Sequence, residues 1–413
     1  MASIGQERDQ DTVIYSGFTG LRNNVSAERM DVTDLTAAVN VDLDDSGRLT
    51  RRAGYTSVLA GTRIHSLWSD ENEEVCLYVE SGSLRRMNPD YTSVLVRASV
   101  TDLPMSFTRV NDLVYFSSLA ASGVYDLAAG AARAWGISPP GAVGITATVG
   151  ALPGGVYQVT MTYLSADGRE SGAGLAQAIS VTDGTALQLT LPVSADPQVV
   201  AKNVYVTTAD GDMLYELVTL PNATTATTYN GGELARPLET QFMSPPIVGQ
   251  ATAFYRGRMF VARGDALFVS SPFGYELFDL REYIQLDSNI TMLAPLVDKE
   301  YSDVSQNSGF FIGTERSCGI LVGSGPENFQ YVPKIAHGAI AGTMAMIDGT
   351  LFADGSSTAR LIPLWLTQRG ICAGLPNMQV QNLTRAKYDF SASGQGAAVF
   401  QHEQSRYIVN FNL

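Results

Sequence analysis

The 413-residue chain carries 41 acidic against 27 basic residues, a formal net charge of −14, which excludes a protein that grips nucleic-acid backbones through a broadly basic face. Hydrophobic residues make up 45% of it and charged residues 16%, which supplies a sizeable core and excludes whole-chain disorder. The length predicts two or three domains, a large single β-propeller being the common exception.

A polar, acid-rich lead-in without periodicity runs from Gly20 to Tyr55. Inside it, residues 37–43 alternate well enough for a strand, Asp44-Asp45-Ser46-Gly47 supplies a turn, and residues 48–52 can return antiparallel. Asp42, Asp44, Ser46 and Gly47 nearly match a calcium loop, but its twelfth position is Ala53 where a bidentate Glu is needed, so a solvated hairpin turn is expected. Arg48, Arg51 and Arg52 have the chemistry to seat a phosphate or a partner's carboxylate, and pairing with the adjacent aspartates is the simpler expectation.

Short alternating runs separated by turn residues then dominate. Residues 63–98 and 105–137 each read as four short antiparallel strands, the dimensions of one propeller blade. The acidic run Asp70, Glu71, Glu73, Glu74 falls in the first turn of the first unit.

At Ser138-Pro139-Pro140-Gly141 the composition shifts, and residues 138–246 predict six or seven longer strands, an immunoglobulin-like β-sandwich. Tyr157, Val159, Met161 and Tyr163 alternate with Val156, Gln158, Thr160 and Thr162, which turns one apolar face inward. Pro192, Pro197 and Pro221 are expected in loops. The segment that begins with Tyr157 to Tyr163 and ends on Asp167-Gly168-Arg169-Glu170-Ser171 resembles fibronectin type III-like modules.

The blade rhythm resumes after Ser244-Pro245-Pro246 and gives four more units over residues 247–413. The expected fold is all-β: a propeller of about six blades, residues 1–137 holding the lead-in and first blades, 138–246 the inserted sandwich, and 247–413 the remaining blades. Strands from both termini, Thr12–Phe18 and Ser405–Phe411, are expected to close the ring.

No set of residues predicts chemistry. His65, His337 and His402 are isolated, with no acid at metal spacing, so no metal site, catalytic residue or cofactor is expected. Cys76, Cys318 and Cys372 are far apart and flanked by apolar residues, and read as small buried hydrophobes. Residues 1–11 lack an apolar leader core and nowhere do 18 apolar residues run together, so neither export nor a membrane span is expected. A sialidase-type enzyme would show spaced aspartate boxes, which are missing.

Asp34-Leu35, Ala38 to Asp42, Gly47, Leu49, Arg51, Arg52, Gly54 and Tyr55 together resemble the N-terminal region of the tail nozzle, or packaged-DNA-stabilisation, proteins of short-tailed bacteriophages. That resemblance implies a non-enzymatic virion component, assembled in the host cytoplasm. It implies a homo-oligomeric ring, six-fold as a rule, under the portal and head-to-tail adaptor rings. Such a ring extends the channel through which viral DNA leaves without sequence-specific binding, and it adjoins tail fibres, spikes or a needle. Asp42, Asp44, Asp45, Asp70, Glu71, Glu73 and Glu74 are then candidates for a lumen or inter-subunit surface, and Arg48, Arg51 and Arg52 for a partner contact. The competing readings are a receptor-binding or fibre-attachment virion β-protein and a carbohydrate-active propeller enzyme.

Overall fold

A computed structural model describes residues 17–44, 46–70, 75–298, 309–351, 360–389 and 392–412. The chain is all-β: strands joined by tight turns, with short 3-10 turns as the helical elements among the described residues. Sequential strands pair with one another, as short polar turns dictate.

The first sheet contains Ile64–Ser69, Cys76–Glu80, Ser83–Met87 and Ser93–Arg97 in chain order. The second repeats that order with Ser106–Val110, Leu113–Ser117, Ser122–Asp126 and Ala131–Arg133. Left-handed backbone at Ser81 and Asn111, each opening a two-residue turn, makes the hairpins tight.

Residues 144–229 then form two sheets. One is three-stranded, from Gly144–Leu152, Thr185–Thr190 and Ala226–Tyr229; the other is four-stranded, from Gln177–Val181, Gly155–Ser165, Val199–Val206 and Tyr215–Pro221. They share one core, in which Leu187 and Leu189 meet Tyr157, Val159, Met161 and Val204. The inward face expected of residues 157–163 is therefore present. Thr160 and Thr162 on the opposite face are buried as well, because their hydroxyls donate to the Gly174 carbonyl and the Glu170 carboxylate. Pro221 departs from expectation: it ends an outer strand, opposite Ala201, where a missing N–H leaves no ladder bond open.

The third sheet has Ala251–Tyr255, Arg258–Arg263, Ala266–Ser271, the 12-residue strand Gly274–Gln285 and the short Met243–Ser244. The fourth has Ile290–Pro295, Phe310–Thr314, Cys318–Val322 and Gln330–Ile335. The fifth centres on Arg360–Thr367, with Gly370–Gly374 and Val380–Asn382 following and Ala345–Asp348 and Val297–Asp298 beside it. The last unit is a two-stranded hairpin, Ser393–Gln401 with Arg406–Asn412. Ahead of it, Lys387 lies in a turn.

A chain of cores holds the sheets in sequence order. Leu77, Val79 and Leu84 meet Val114 and Phe116 between the first and second sheets. Tyr115 and Trp135 meet Met259, Val261 and Phe278 between the second and third. Phe260 meets Phe310 between the third and fourth, Phe311 meets Trp365 between the fourth and fifth, and Leu366 packs near Phe411 of the final hairpin. A fully buried Leu, Val or Phe contributes about 1.5–3 kcal/mol, against about 1 kcal/mol for a typical hydrogen bond, so these cores decide the order of the sheets.

Of the strands expected to close the ring, Thr12–Ser16 lies outside the described residues and Gly17 and Phe18 are not in a strand, while among the described residues Arg406–Asn412 pairs with Ser393–Gln401. Hydrogen bonds also join the lead-in to the C-terminal region.

Candidate functional site

The lead-in folds as expected at its hairpin, Val41–Leu43 pairing with Leu49–Arg51. Asp44 accepts hydrogen bonds from the backbone N–H groups of Ser46 and Arg48 and from the Ser46 hydroxyl. These bonds converge on its Oδ1 and hold its carboxyl below the usual range, the Ser46 hydroxyl contributing most. Among the described residues no group of three or more His, Cys, Asp or Glu is placed to hold a metal ion.

Asp42 has a different role. Arg52 Nε donates to its Oδ1 at 3.0 Å, and Arg406, in the last strand, donates to its Oδ2 at 2.8 Å. Partial desolvation opposes ionisation, but the two guanidinium groups outweigh it and hold the Asp42 carboxyl low. Arg52 thus pairs with a nearby aspartate, as expected, while Arg48 and Arg51 are exposed.

Further bonds join the lead-in to residues 386–389. Lys387 Nζ donates to the Thr19 carbonyl at 2.7 Å, Asn23 Nδ2 to the Asp389 carbonyl at 2.7 Å, and Asn24 Nδ2 to the Ala386 carbonyl at 2.8 Å. Asp34 anchors the lead-in itself, accepting from Thr19 and, at 3.0 Å, from Arg22. Asp34 and Asp42 are two of the residues that carry the resemblance to the nozzle family; Asp42 reaches the last strand, and Asp34 braces the lead-in.

Asp70 is separate from the hairpin acids. It is buried, it accepts from the Val75 N–H at 2.9 Å, and it pairs with Arg109 of the second sheet. Its carboxylate is committed to the contact between two sheets, so it does not join Asp42 and Asp44 in one cluster. Asp45, Glu71, Glu73 and Glu74 lie outside the described residues.

A second polar centre was not legible in the sequence. Glu276, in the long strand of the third sheet, takes Arg133 Nη2 of the second sheet on one oxygen at 2.7 Å, and Arg169 Nη1 of the 165–170 turn on the other. Arg169 also donates from Nε to Asp167 at 2.7 Å, and Asp167, despite partial burial, is drawn down to about 2 by Arg169 and Ser165. Gly172 brings backbones together here: a Cβ at that position would fall 1.6 Å from the Met243 carbonyl oxygen. The Gly168-Arg169-Glu170-Ser171 motif is thus the joint between the two-sheet unit and its flanking sheets.

Glu170 turns the other way. Asn203 Nδ2 at 3.0 Å, Tyr205 Oη at 2.6 Å, the Thr162 hydroxyl and Arg236 Nη2 at 3.0 Å all donate to it. Burial raises its pKa, yet these donors more than offset that and the carboxyl stays below its ordinary range.

No known family profile matches the chain, and no curated protein matches it either. Among solved structures, the chain is similar over 90% of its length to an extracellular domain described as that of the one component system BT4673 from B. thetaiotaomicron, at 11% identity and a TM-score of 0.30, spanning 45% of that chain. A second structure, described as the extracellular domain of a hybrid two component system BT4673 from the same organism, matches at 9% identity and a TM-score of 0.30, over 91% of this chain and 46% of that one. XC5397 from Xanthomonas campestris, described as a gluconolactonase, matches 62% of this chain and 84% of its own at 16% identity and a TM-score of 0.15. Superposition this loose transfers no site or activity. No helix among the described residues is long and apolar enough to cross a membrane.

Proposed function

We propose that this chain is a structural virion protein of a short-tailed bacteriophage: a subunit of the tail nozzle ring that extends and gates the DNA-exit channel and supports fibres or spikes. In this reading the six units form a propeller, with residues 138–246 inserted as a sandwich that reaches a neighbouring subunit or ring. Its partners are further copies of itself in a ring, the head-to-tail adaptor above, fibre or needle proteins beside or below, and DNA in transit. No reaction, cofactor or metal is assigned to it.

The observation that carries the reading is the lead-in resemblance, from Asp34-Leu35 through Gly54-Tyr55. Two further features support it. The acidic balance of −14 suits a bore that must not adhere to DNA. The long exposed stretch 53–58 projects after the clasp, with Tyr55 at 78% and Val58 at 58% exposure, apolar surface of the kind that assembly covers.

The test is assembly. The purified protein, mixed with the portal and adaptor proteins of a short-tailed phage that encodes it, should form closed rings around a central pore, visible by electron microscopy and native mass. A monomer that joins no adaptor ring would refute the nozzle, and trimers bound to fibres would favour the fibre-attachment reading.

A further inference from the structure

Arginine is out of place on the inner face of the first sheet. Leu84 and Arg86 are two apart on the strand Ser83–Met87 and so share a face, and Leu84 is fully buried in the core between the first and second sheets. Arg86 points the same way, yet among the described residues no carboxylate pairs with it: its Nη1 lies 3.4 Å from the Tyr125 hydroxyl oxygen, and its Nε is enclosed without a hydrogen-bond partner. Enclosing an uncompensated cationic donor costs free energy that neighbouring apolar packing does not return.

Beside it lies a cavity of about 290 Å³ lined by Val75, Arg86, Arg109, Asp112, Leu127 and Ala128. Its charges decide what it accepts. Arg109 is already paired with Asp70, and the exposed Asp112 adds a negative charge at the wall, so Arg86 supplies the one uncommitted positive charge among the described lining residues. A phosphate dianion would bring a second negative charge against Asp112, whereas a single carboxylate can take the fork of Arg86 bidentately. Val75, Leu127 and Ala128 offer an apolar wall to the stem behind the charge. The volume lies at the small end for ligand pockets, which suits a short chain.

We propose that this cavity is a carboxylate socket: Arg86 binds one carboxylate on a short aliphatic stem, either a small monocarboxylic acid or an Asp or Glu side chain of a second copy of this chain. The socket is independent of the nozzle reading.

The full chain is titrated with butyrate and, separately, with inorganic phosphate, and its self-association is followed by sedimentation velocity with and without butyrate. Saturable butyrate binding, weakened about 10- to 100-fold in R86Q, is expected, since a charge-assisted contact of this kind carries that much discrimination. A128W, which blocks the exposed wall and leaves Arg86 in place, should abolish binding too and guards against a folding defect in R86Q. Self-association that R86Q or butyrate reverses identifies a side chain of a second copy as the source, and butyrate binding by a monomer identifies a free acid. Equal affinity for phosphate, wild-type binding by both variants, or no butyrate binding together with R86-independent self-association would overturn the proposal.

Discussion

Arg406 donates to the carboxylate of Asp42 at 2.8 Å across a sequence separation of 364 residues, and Arg52 holds the other oxygen of the same group. Both ends of the chain are thereby fastened through one aspartate. The pair is polar and largely solvent-facing, so it works by tethering the lead-in and adds little cohesion to the sheets.

That placement predicts salt-dependent loosening. D42N should leave the sheets folded but release the lead-in, giving faster proteolysis near residues 53–63 in low salt. In about 1 M salt, where the Debye length shrinks to about 3 Å, wild type and D42N should converge. Equal cleavage rates in low salt would remove the tether.

The same group sets an acid limit on the clasp. Its folded pKa is depressed, so its stabilisation is complete above the ordinary aspartate range and is lost as pH falls through the lower folded value. Release of the lead-in, followed by proteolysis, should therefore begin on acidification below about pH 4, the ordinary aspartate value, and D42N should show no such step.

Glu276 joins three parts of the chain, and E276A leaves Arg133 and Arg169 facing each other without their shared carboxylate. The expected cost is about 3 kcal/mol, in the range for stripping one partner from a largely buried ion pair. Calorimetry should show the transition of residues 144–229 separating from that of the flanking sheets, whereas the wild type should unfold with the two coupled.

Glu170 serves the interior of the two-sheet unit. Its lowered pKa means that its contribution, present above the ordinary glutamate range, disappears as pH drops through the folded value. E170Q should lower stability at neutral pH and flatten its dependence on pH below about 4, as read from urea midpoints at several pH values.

Gly172 tests the joint by sterics alone. G172A places a methyl group where the Met243 carbonyl stands, so the 165–172 turn must move away from Met243–Ser244. It should mimic E276A in calorimetry without changing any charge. A G172A protein with a single wild-type transition would show that the close approach is dispensable.

Much of the strand content was legible because its signal is local. Leu77 and Val79, or Tyr157, Val159, Met161 and Tyr163, announce a buried face through a period of two, and Ser81-Gly82 and Arg256-Gly257 announce the turns between. The Asp44 turn was readable for the same reason, since its bonds reach no farther than Arg48. The long strand Gly274–Gln285 gives a weaker signal because Arg281 to Tyr283 are exposed and lack apolar alternation.

Which charges meet is another matter, and the tertiary structure alone decided it. Arg169 gives no sign in sequence that it will reach Glu276, nor Asp70 that it will be claimed by Arg109, nor Asp42 that Arg406 will arrive beside it. A side chain's period along a strand records whether it faces inward, but an ion pair forms wherever sheet order brings opposite charges within reach, and that order is set by cores such as Phe260 on Phe310. The sequence thus determined the strands, their buried faces and the lead-in motif, and the packing of whole sheets determined the clasp, the joint and the lone Arg86.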